Sequence, residues 1–431
     1  MRLLALTAVA AVALLAAPPA AADHPGSNQG LARFGPLGLD QLVHRLPDVQ
    51  EAFAAWEAQW PALAERFTIG TTATGFPLEG IRITDESVLF DGAATATGQK
   101  LRVYLDGGHH GNEYLGVELL MYYARDLLEL AGGDDATQAY LRETEVYLVP
   151  IVNPDGNYLD TRKNANQVDV NRNYDFQWGG PGSGDTVADQ TYRGPSPASE
   201  AEVKANMAFG AKILPDVWVT AHTGVAEFYW PWGWSNDKAP DAAFFESIEK
   251  PFEEATHGRV DAMQAAELYL AAGATDDWAY GVLGVPGHTF EVHEDQFIPV
   301  YGEPIPAVIA DQLAGLDWVV RNVKHWGAWL EATPADGGGI LVKNHGWAVA
   351  RNATVGATVL ADIPPGGELL VDPDGASTLR YKPLLIETSK ERVVALPNEL
   401  GPSQEGSEPA SAVPVVLVLL ASLAVAARRR I

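Results

Sequence analysis

The sequence predicts an α/β fold with a mixed, largely parallel sheet sandwiched by helices, followed by a small β-sandwich and a C-terminal transmembrane segment. Three observations carry that expectation. Apolar runs of strand length alternate with longer runs of helical period up to about residue 330, which is the pattern of a layered α/β domain. After Thr333 the texture changes to short alternating runs divided by Gly, Pro and Asp. Finally, the uncharged stretch "ASAVPVVLVLLASLAVAA" at 410–427 is just long enough to span a thin hydrocarbon core, and three arginines follow it directly.

Taken in order, "MRLLALTAVAAVALLAAPPAAA" has the charge, the apolar run and the Ala-x-Ala site of a secretory signal peptide at 1–22. The stretch "LDQLVHRLPDVQEAFAAWEAQWPALAERF" has helical spacing interrupted by Pro47 and Pro61, so two or three short helices are expected over 39–66. "FTIGTTATGFPLEGIRIT" reads as a hairpin around Gly75, "KLRVYLDGG" as a strand running into a turn, and "EYLGVELLMYYARDLLEL" as an amphipathic helix. Buried strands are expected at "EVYLVPIVNPDG", "PDVWVTAHTG" and "GHTFEVHED", and one long closing helix at "IPAVIADQLAGLDWVVRNVKHWGAWLEA". The resulting division is a signal peptide at 1–22, a large α/β domain at 23–332, a small β-sandwich at 333–398, a linker at 399–409 and a transmembrane or sorting tail at 410–431. Positive charge belongs on the cytoplasmic side, so the body is expected outside the cell, held to the membrane by the tail.

Composition narrows the chemistry. With 56 acidic residues against 29 basic and a net charge of −27, the surface repels nucleic acid and anionic headgroups. The absence of cysteine excludes disulfides and leaves His and carboxylates as the ligands of any metal site.

The stretch "YLDGGHHGNEYLG" places two histidines side by side. Where a strand gives way to a helix, residues three apart share a side, so His110 and Glu113 converge while His109 lies about a third of a turn away. Two donors are too few, because a catalytic zinc takes three protein ligands and one open position. "HTFEVHED" repeats the spacing with His288 and Glu291, but its alternation is that of a strand, which sends the two to opposite faces. An ionised Glu291 in so apolar a strand costs several kcal/mol without a cation, a proton or a polarised water beside it. His222, at the mouth of "DVWVTAH", is the best remaining ligand, although a lone histidine there is more often a satisfied core residue. In the loop "NPDGNYLDTRKNANQVDVNRNYDFQW", Arg162, Asn171 and Arg172 gather guanidinium and amide donors suited to a carboxylate. Surface salt bridging would explain any one of these arginines taken singly.

"GGHHGNE", "NPDG", "RKN", "VDVNRNYDFQW", "YRGPSPASEAEVKA", "AHTG" with "YWPWGW", "LYLAAGATDDWAYG" and "HTFEV" follow one another in the order and at about the spacings of the zinc carboxypeptidase family. The resemblance spans about residues 38–331. It implies one Zn²⁺ per chain on His110, Glu113 and His222, which selects His110 over His109. It further implies that Asp169 orients the first zinc histidine, Arg162 polarises the scissile carbonyl, and Asn171 with Arg172 grips the substrate's terminal carboxylate. Tyr269 is implied to close on the substrate and Glu291 to act as general base. The substrates implied are the C-termini of peptides and proteins. Asp276 falls where members favouring basic residues carry an aspartate, but a shift of one would leave only the structural Asp277 there. Two other readings remain at this stage: a cell-wall hydrolase acting on peptidoglycan stem peptides, and an inactive surface binding module.

Overall fold

The computed structural model describes residues 43–87, 99–293 and 305–397. The expected signal peptide, linker and tail all lie outside these residues. Among the described residues no helix is long and apolar enough to cross a membrane.

Helix α1 is Leu46–Gln59. Among the described residues of 39–66, one helix stands where two or three were expected. Pro47 occupies the first turn, where its fixed φ suits a helix start and no N–H is needed, so it opens the helix instead of interrupting it. Pro61 lies beyond the last turn, and β1 (Ala64–Thr71) has begun three residues later. With β2 (Pro77–Ile83) it forms the expected hairpin, turned by Gly75 at φ +96°. Then follow β3 (Leu101–Gly107), α2 (Tyr114–Ala131), α3 (Asp135–Glu143), β4 (Thr144–Val149) and α4 (Pro154–Leu159). The chain continues through α5 (Ala201–Ile213), β5 (Val217–His222), β6 (Ala226–Trp230), α6 (Ala242–Ala255), β7 (Asp261–Gln264), α7 (Thr275–Trp278), β8 (Gly287–Val292), α8 (Ile305–Val308) and α9 (Ala310–Arg321).

The first eight strands form one sheet in the order β1-β2-β4-β3-β5-β8-β6-β7. The pairs β4·β3, β3·β5, β5·β8 and β6·β7 are parallel and the other three antiparallel, so the sheet is mixed and its centre is parallel. Both faces are covered, as a parallel centre requires. Val103, Leu105, Val217 and Val219 face a core shared with α1, α2, α6 and α9. Tyr104 and Trp218, the residues between them, face a second core with Val203, Ile213 and Trp278 from α5 and α7. Helix α2 is less amphipathic than expected. Residues 114–124 are all buried, because the helix runs across the middle of the sheet.

The closing helix is shorter than the sequence suggested. It ends at Arg321, and "GAWLEA" enters a strand, β9 (Leu330–Pro334). Gly327, at φ +92° and with no space for a Cβ against the Pro383 carbonyl, turns the chain there. The strands that follow are β10 (Ile340–Asn344), β11 (Thr354–Val355), β12 (Thr358–Val359), β13 (Glu368–Val371), β14 (Thr378–Tyr381) and β15 (Arg392–Ala395). They make two sheets, β13-β10-β9 and β12-β11-β14-β15, around a common core that includes Leu330, Val342, Val355, Leu379 and Val394. This β-module thus begins at Leu330, slightly ahead of the expected boundary at 333. It is docked on the larger sheet domain: Asp241 accepts hydrogen bonds from the backbone N–H of Leu385 (2.7 Å) and Ile386 (3.1 Å), and Arg392 pairs with Asp216.

Candidate active site

The C-terminal ends of three adjacent parallel strands, β3, β5 and β8, meet at one place, the usual position for a site in an open α/β sheet. β3 leads through Gly108, at φ +59° and too close to the Pro150 carbonyl for a side chain, into a turn closed by Glu113 N–H donating to the His110 carbonyl at 3.2 Å. That turn brings His110 Nδ1 within 2.7 Å of Glu113 Oε1. β5 ends on His222, whose Nδ1 lies 2.9 Å from Glu113 Oε2 and 3.2 Å from His110 Nδ1. The three residues are buried, and their ligand atoms lie within 4.8 Å of one another. Two imidazole nitrogens and a carboxylate this close together must share a proton or a cation. The separations are close to the roughly 3.3 Å edge of a tetrahedron with bonds near 2 Å, so the donor set fits zinc.

The flanking groups complete the arrangement. His110 Nε2 lies 3.1 Å from Asp169 Oδ1, which leaves Nδ1 as the ligand atom. Asp169 is fully buried; burial alone would raise its pKa, but the Arg162 guanidinium and His110 outweigh it and hold the carboxyl well below the usual range. Arg162 donates from Nε (3.0 Å) and Nη2 (2.7 Å) to Asp169 Oδ2, and its Nη1 stands 3.1 Å from His110 Nδ1 and 3.4 Å from Glu113 Oε1. Arg162 is therefore beside the ligands, though not among the residues lining the cavity in front of them.

That cavity is lined by His110, Asn171, Arg172, His222, Tyr269, Asp276 and Glu291, among others. Glu291 comes from β8 opposite His222 in register. Its Oε2 is buried without a hydrogen-bond partner among the described residues, and burial together with the nearby Glu113 charge raises its pKa well above the usual range. Asn171 Oδ1 accepts both the N–H and the hydroxyl of Thr275, each at 2.9 Å, so its amide nitrogen is turned towards His222. Arg172 is held by the Gly182 and Asn171 carbonyls and lies 5.9 Å from the ring of Tyr269, which is half exposed at the rim. Asp276 lines the cavity and accepts from Thr289 Oγ1 at 3.0 Å, whereas Asp277 is turned away to accept the backbone N–H of Gly233 and Trp234. The structure thus distinguishes the two aspartates that the sequence left in competition. Every residue to which the resemblance assigned a site role lies in or against this one site, whereas His288 is packed in the aromatic core.

The sequence reading missed Thr275 and Thr289, which fix Asn171 and Asp276. Thr289 had a readable signal, since in a strand it shares a face with Glu291 two residues on.

Residues 49–311, more than half the chain, match the family described as zinc carboxypeptidase. The chain belongs to that family. Among curated relatives, carboxypeptidase A2 of Rattus norvegicus is 26% identical over 304 residues, covering 65% of this chain and 68% of the relative. Carboxypeptidase B of Astacus astacus is 27% identical over 241 residues, covering 48% of this chain and 78% of the relative. Of solved structures, thrombin-activatable fibrinolysis inhibitor aligns with a TM-score of 0.58 at 22% identity, over 66% of this chain and 74% of that one. Carboxypeptidase A of Helicoverpa armigera aligns at 0.54 and 19%, over 65% and 72%. At these identities the two structures speak for the fold alone. This zinc carboxypeptidase is accordingly a metal-dependent hydrolase of the peptidase class, and its His110, Glu113 and His222 triad suits the family's ion.

Proposed function

We propose that this zinc carboxypeptidase removes single residues from peptide C-termini and favours basic ones. One observation carries the reading: the putting together, on the wall of one cavity, of a metal-binding triad, an unpartnered buried carboxylate and an amide–guanidinium pair suited to a free carboxylate. When bound, zinc supplies Lewis-acid polarisation of the carbonyl and a water acidic enough to attack at neutral pH. Glu291 takes the proton of the attacking water at Oε2 and returns it to the leaving nitrogen as the C–N bond breaks. Arg162 Nη1 steadies the charge that develops on the carbonyl oxygen. Asp169 keeps the His110 ring in the tautomer that leaves Nδ1 free. Asn171 and Arg172 hold the terminal carboxylate, which sets the cut one bond from the end, and Tyr269 closes over it.

The basic preference rests on Asp276, a buried carboxyl on the cavity wall whose Oδ2 accepts from Thr289 Oγ1 and whose Oδ1 accepts from the Asp277 N–H, each oxygen keeping a further lone pair for a cation. An entering guanidinium or ammonium restores the charge that burial disfavours.

The test is release of amino acids from free-acid and amidated peptides ending in Arg, Lys or Leu, with and without a chelator. Stepwise release from free acids, resistance of the amides and arrest by chelation are expected. Asp276→Asn should lower kcat/KM for Arg-ended peptides by roughly 30-fold or more, the scale of a lost buried charge pair, and spare Leu-ended ones. Cleavage of muropeptides with none of linear peptides would overturn the reading in favour of a cell-wall hydrolase.

A further inference from the structure

Of the two adjacent histidines, His109 gives no atom to the ligand cluster, its ring instead lying stacked 5.5 Å from that of His222, and it has no part in the chemistry above. It is fully buried, and both ring nitrogens are engaged. Nδ1 lies 3.2 Å from Thr220 Oγ1; Nε2 lies 2.9 Å from the Tyr174 hydroxyl and 3.0 Å from Thr275 Oγ1. Thr275 is the residue whose N–H and hydroxyl both reach Asn171 Oδ1. On the other side, Asn206 donates to the Tyr174 hydroxyl (2.8 Å) and to Asp106 Oδ2 (2.6 Å) and accepts from the Tyr104 hydroxyl. A buried polar chain therefore runs from Asp106 on β3 to Asn171 on the cavity wall, with His109, on the turn after β3, and the Tyr174 hydroxyl both reaching Thr275 on α7.

The consequence lies in the direction of one amide. Asn171 presents Nδ2 to the cavity only while its oxygen faces Thr275, and the rotamer of the Thr275 hydroxyl is held by His109 Nε2. A reversed amide would present an oxygen to an incoming carboxylate, which repels it. We propose that His109 is a positioning residue for substrate binding. Through Thr275 it orients Asn171 towards the terminal carboxylate, and it anchors the residue preceding Asp276. This rests on the assignment of Asn171 to the carboxylate grip.

A grip that acts equally on ground and transition states appears in KM and leaves kcat unchanged. The experiment compares wild type, His109→Leu, His109→Gln, Thr275→Val and the His109→Leu/Thr275→Val double variant, zinc-loaded, on one free-acid peptide. His109→Leu should raise KM about tenfold, the effect of one misdirected hydrogen-bonding group, with kcat within about twofold and full zinc content. Gln, which retains a polar group towards Thr275, should recover most of the loss. Thr275→Val should match His109→Leu, and the double variant should be no worse than the poorer single, because both break one link. An unchanged KM in folded, zinc-bearing His109→Leu, a Gln variant as poor as Leu, or additive effects would each overturn the proposal. If His109→Leu does not fold, Thr275→Val and the Gln variant decide alone. If wild type releases nothing from any free-acid peptide, the functional reading fails first. Binding of an N-acetyl dipeptide, by calorimetry on the same variants, then still tells whether His109 governs a carboxylate site.

Discussion

The spacing His-x-x-Glu occurs just after one strand that flanks β5 and within the other, and the protein uses it in opposite ways. After β3 the chain leaves the sheet in a tight turn, so His110 and Glu113 face each other at 2.7 Å. β8 instead runs straight through its pair, and alternation sends them apart. Glu291 enters the cavity, while His288 is stacked on Phe228 at 4.7 Å and packed by Phe245 and Trp326. Identical letters at identical intervals thus give a metal-binding pair in one place and an acid with a core aromatic in the other. The turn makes the motif, and the spacing is only its record.

The most forceful way to break this comparison is to make one chemical change at both glutamates. Glu113→Gln should lose zinc and activity together. Glu291→Gln should keep one zinc per chain and lose turnover by about 10³-fold or more, within the range for a general base. Metal analysis beside kcat separates the two, and a Glu291→Gln enzyme with a tenth of wild-type activity would mean the roles are misassigned.

A smaller effect compares the acids that the two strands bury. Asp106, near the end of β3, is sealed in the core, and burial raises its pKa to about 7 against the pull of Asn206 and Thr220. The folded chain therefore keeps a proton that the unfolded chain loses above pH 4. The associated stability is fully present below about pH 4 and lost as pH rises to about 7, an amount on the order of 4 kcal/mol. Asp106→Asn carries no such proton. The difference in unfolding free energy between wild type and variant should shift against wild type from pH 4 to 7 and be flat above 7. General repulsion among the acidic groups is common to both and cancels. A difference independent of pH would show that Asp106 is ionised in the fold.

Much of this was legible in the sequence. The layered class, the hairpin at Gly75, the three strands that carry the site and the separation of His288 from Glu291 all follow from periodicity and turn residues. Pro47 and Gly327 were read less well. A proline opening a helix and one interrupting it look alike without the register, and an apolar run such as "GAWLEA" has no period long enough to tell helix end from strand start. Within the site, ligands and base were readable because their residue types are costly to bury without a purpose. Thr275 and His109 were not, since their function lies in hydrogen bonds to groups more than a hundred residues away.

The finest test of the comparison is at His288. Burial pushes its pKa down to about 3, so the ring is neutral in the fold. Its Nδ1 lies 3.2 Å from the Tyr229 carbonyl, while Nε2 has no partner among the described residues. His288→Phe gives up one weak hydrogen bond, removes an orphaned polar atom and keeps the stack on Phe228. At pH 7.5 the change in stability should stay within about 1.5 kcal/mol, as for other shape-conserving core swaps. The pH dependence runs opposite to that of Asp106. A histidine with a depressed folded pKa contributes stability above its unfolded value near 6.5, and that contribution is lost as pH falls towards 3. At pH 5 the variant should therefore gain on wild type by about 2 kcal/mol relative to pH 7.5. Zinc content and kcat should not move, in contrast to His110→Phe, which removes a ligand. Zinc loss in His288→Phe would place this histidine on the cavity side of β8 and undo the distinction between the two motifs.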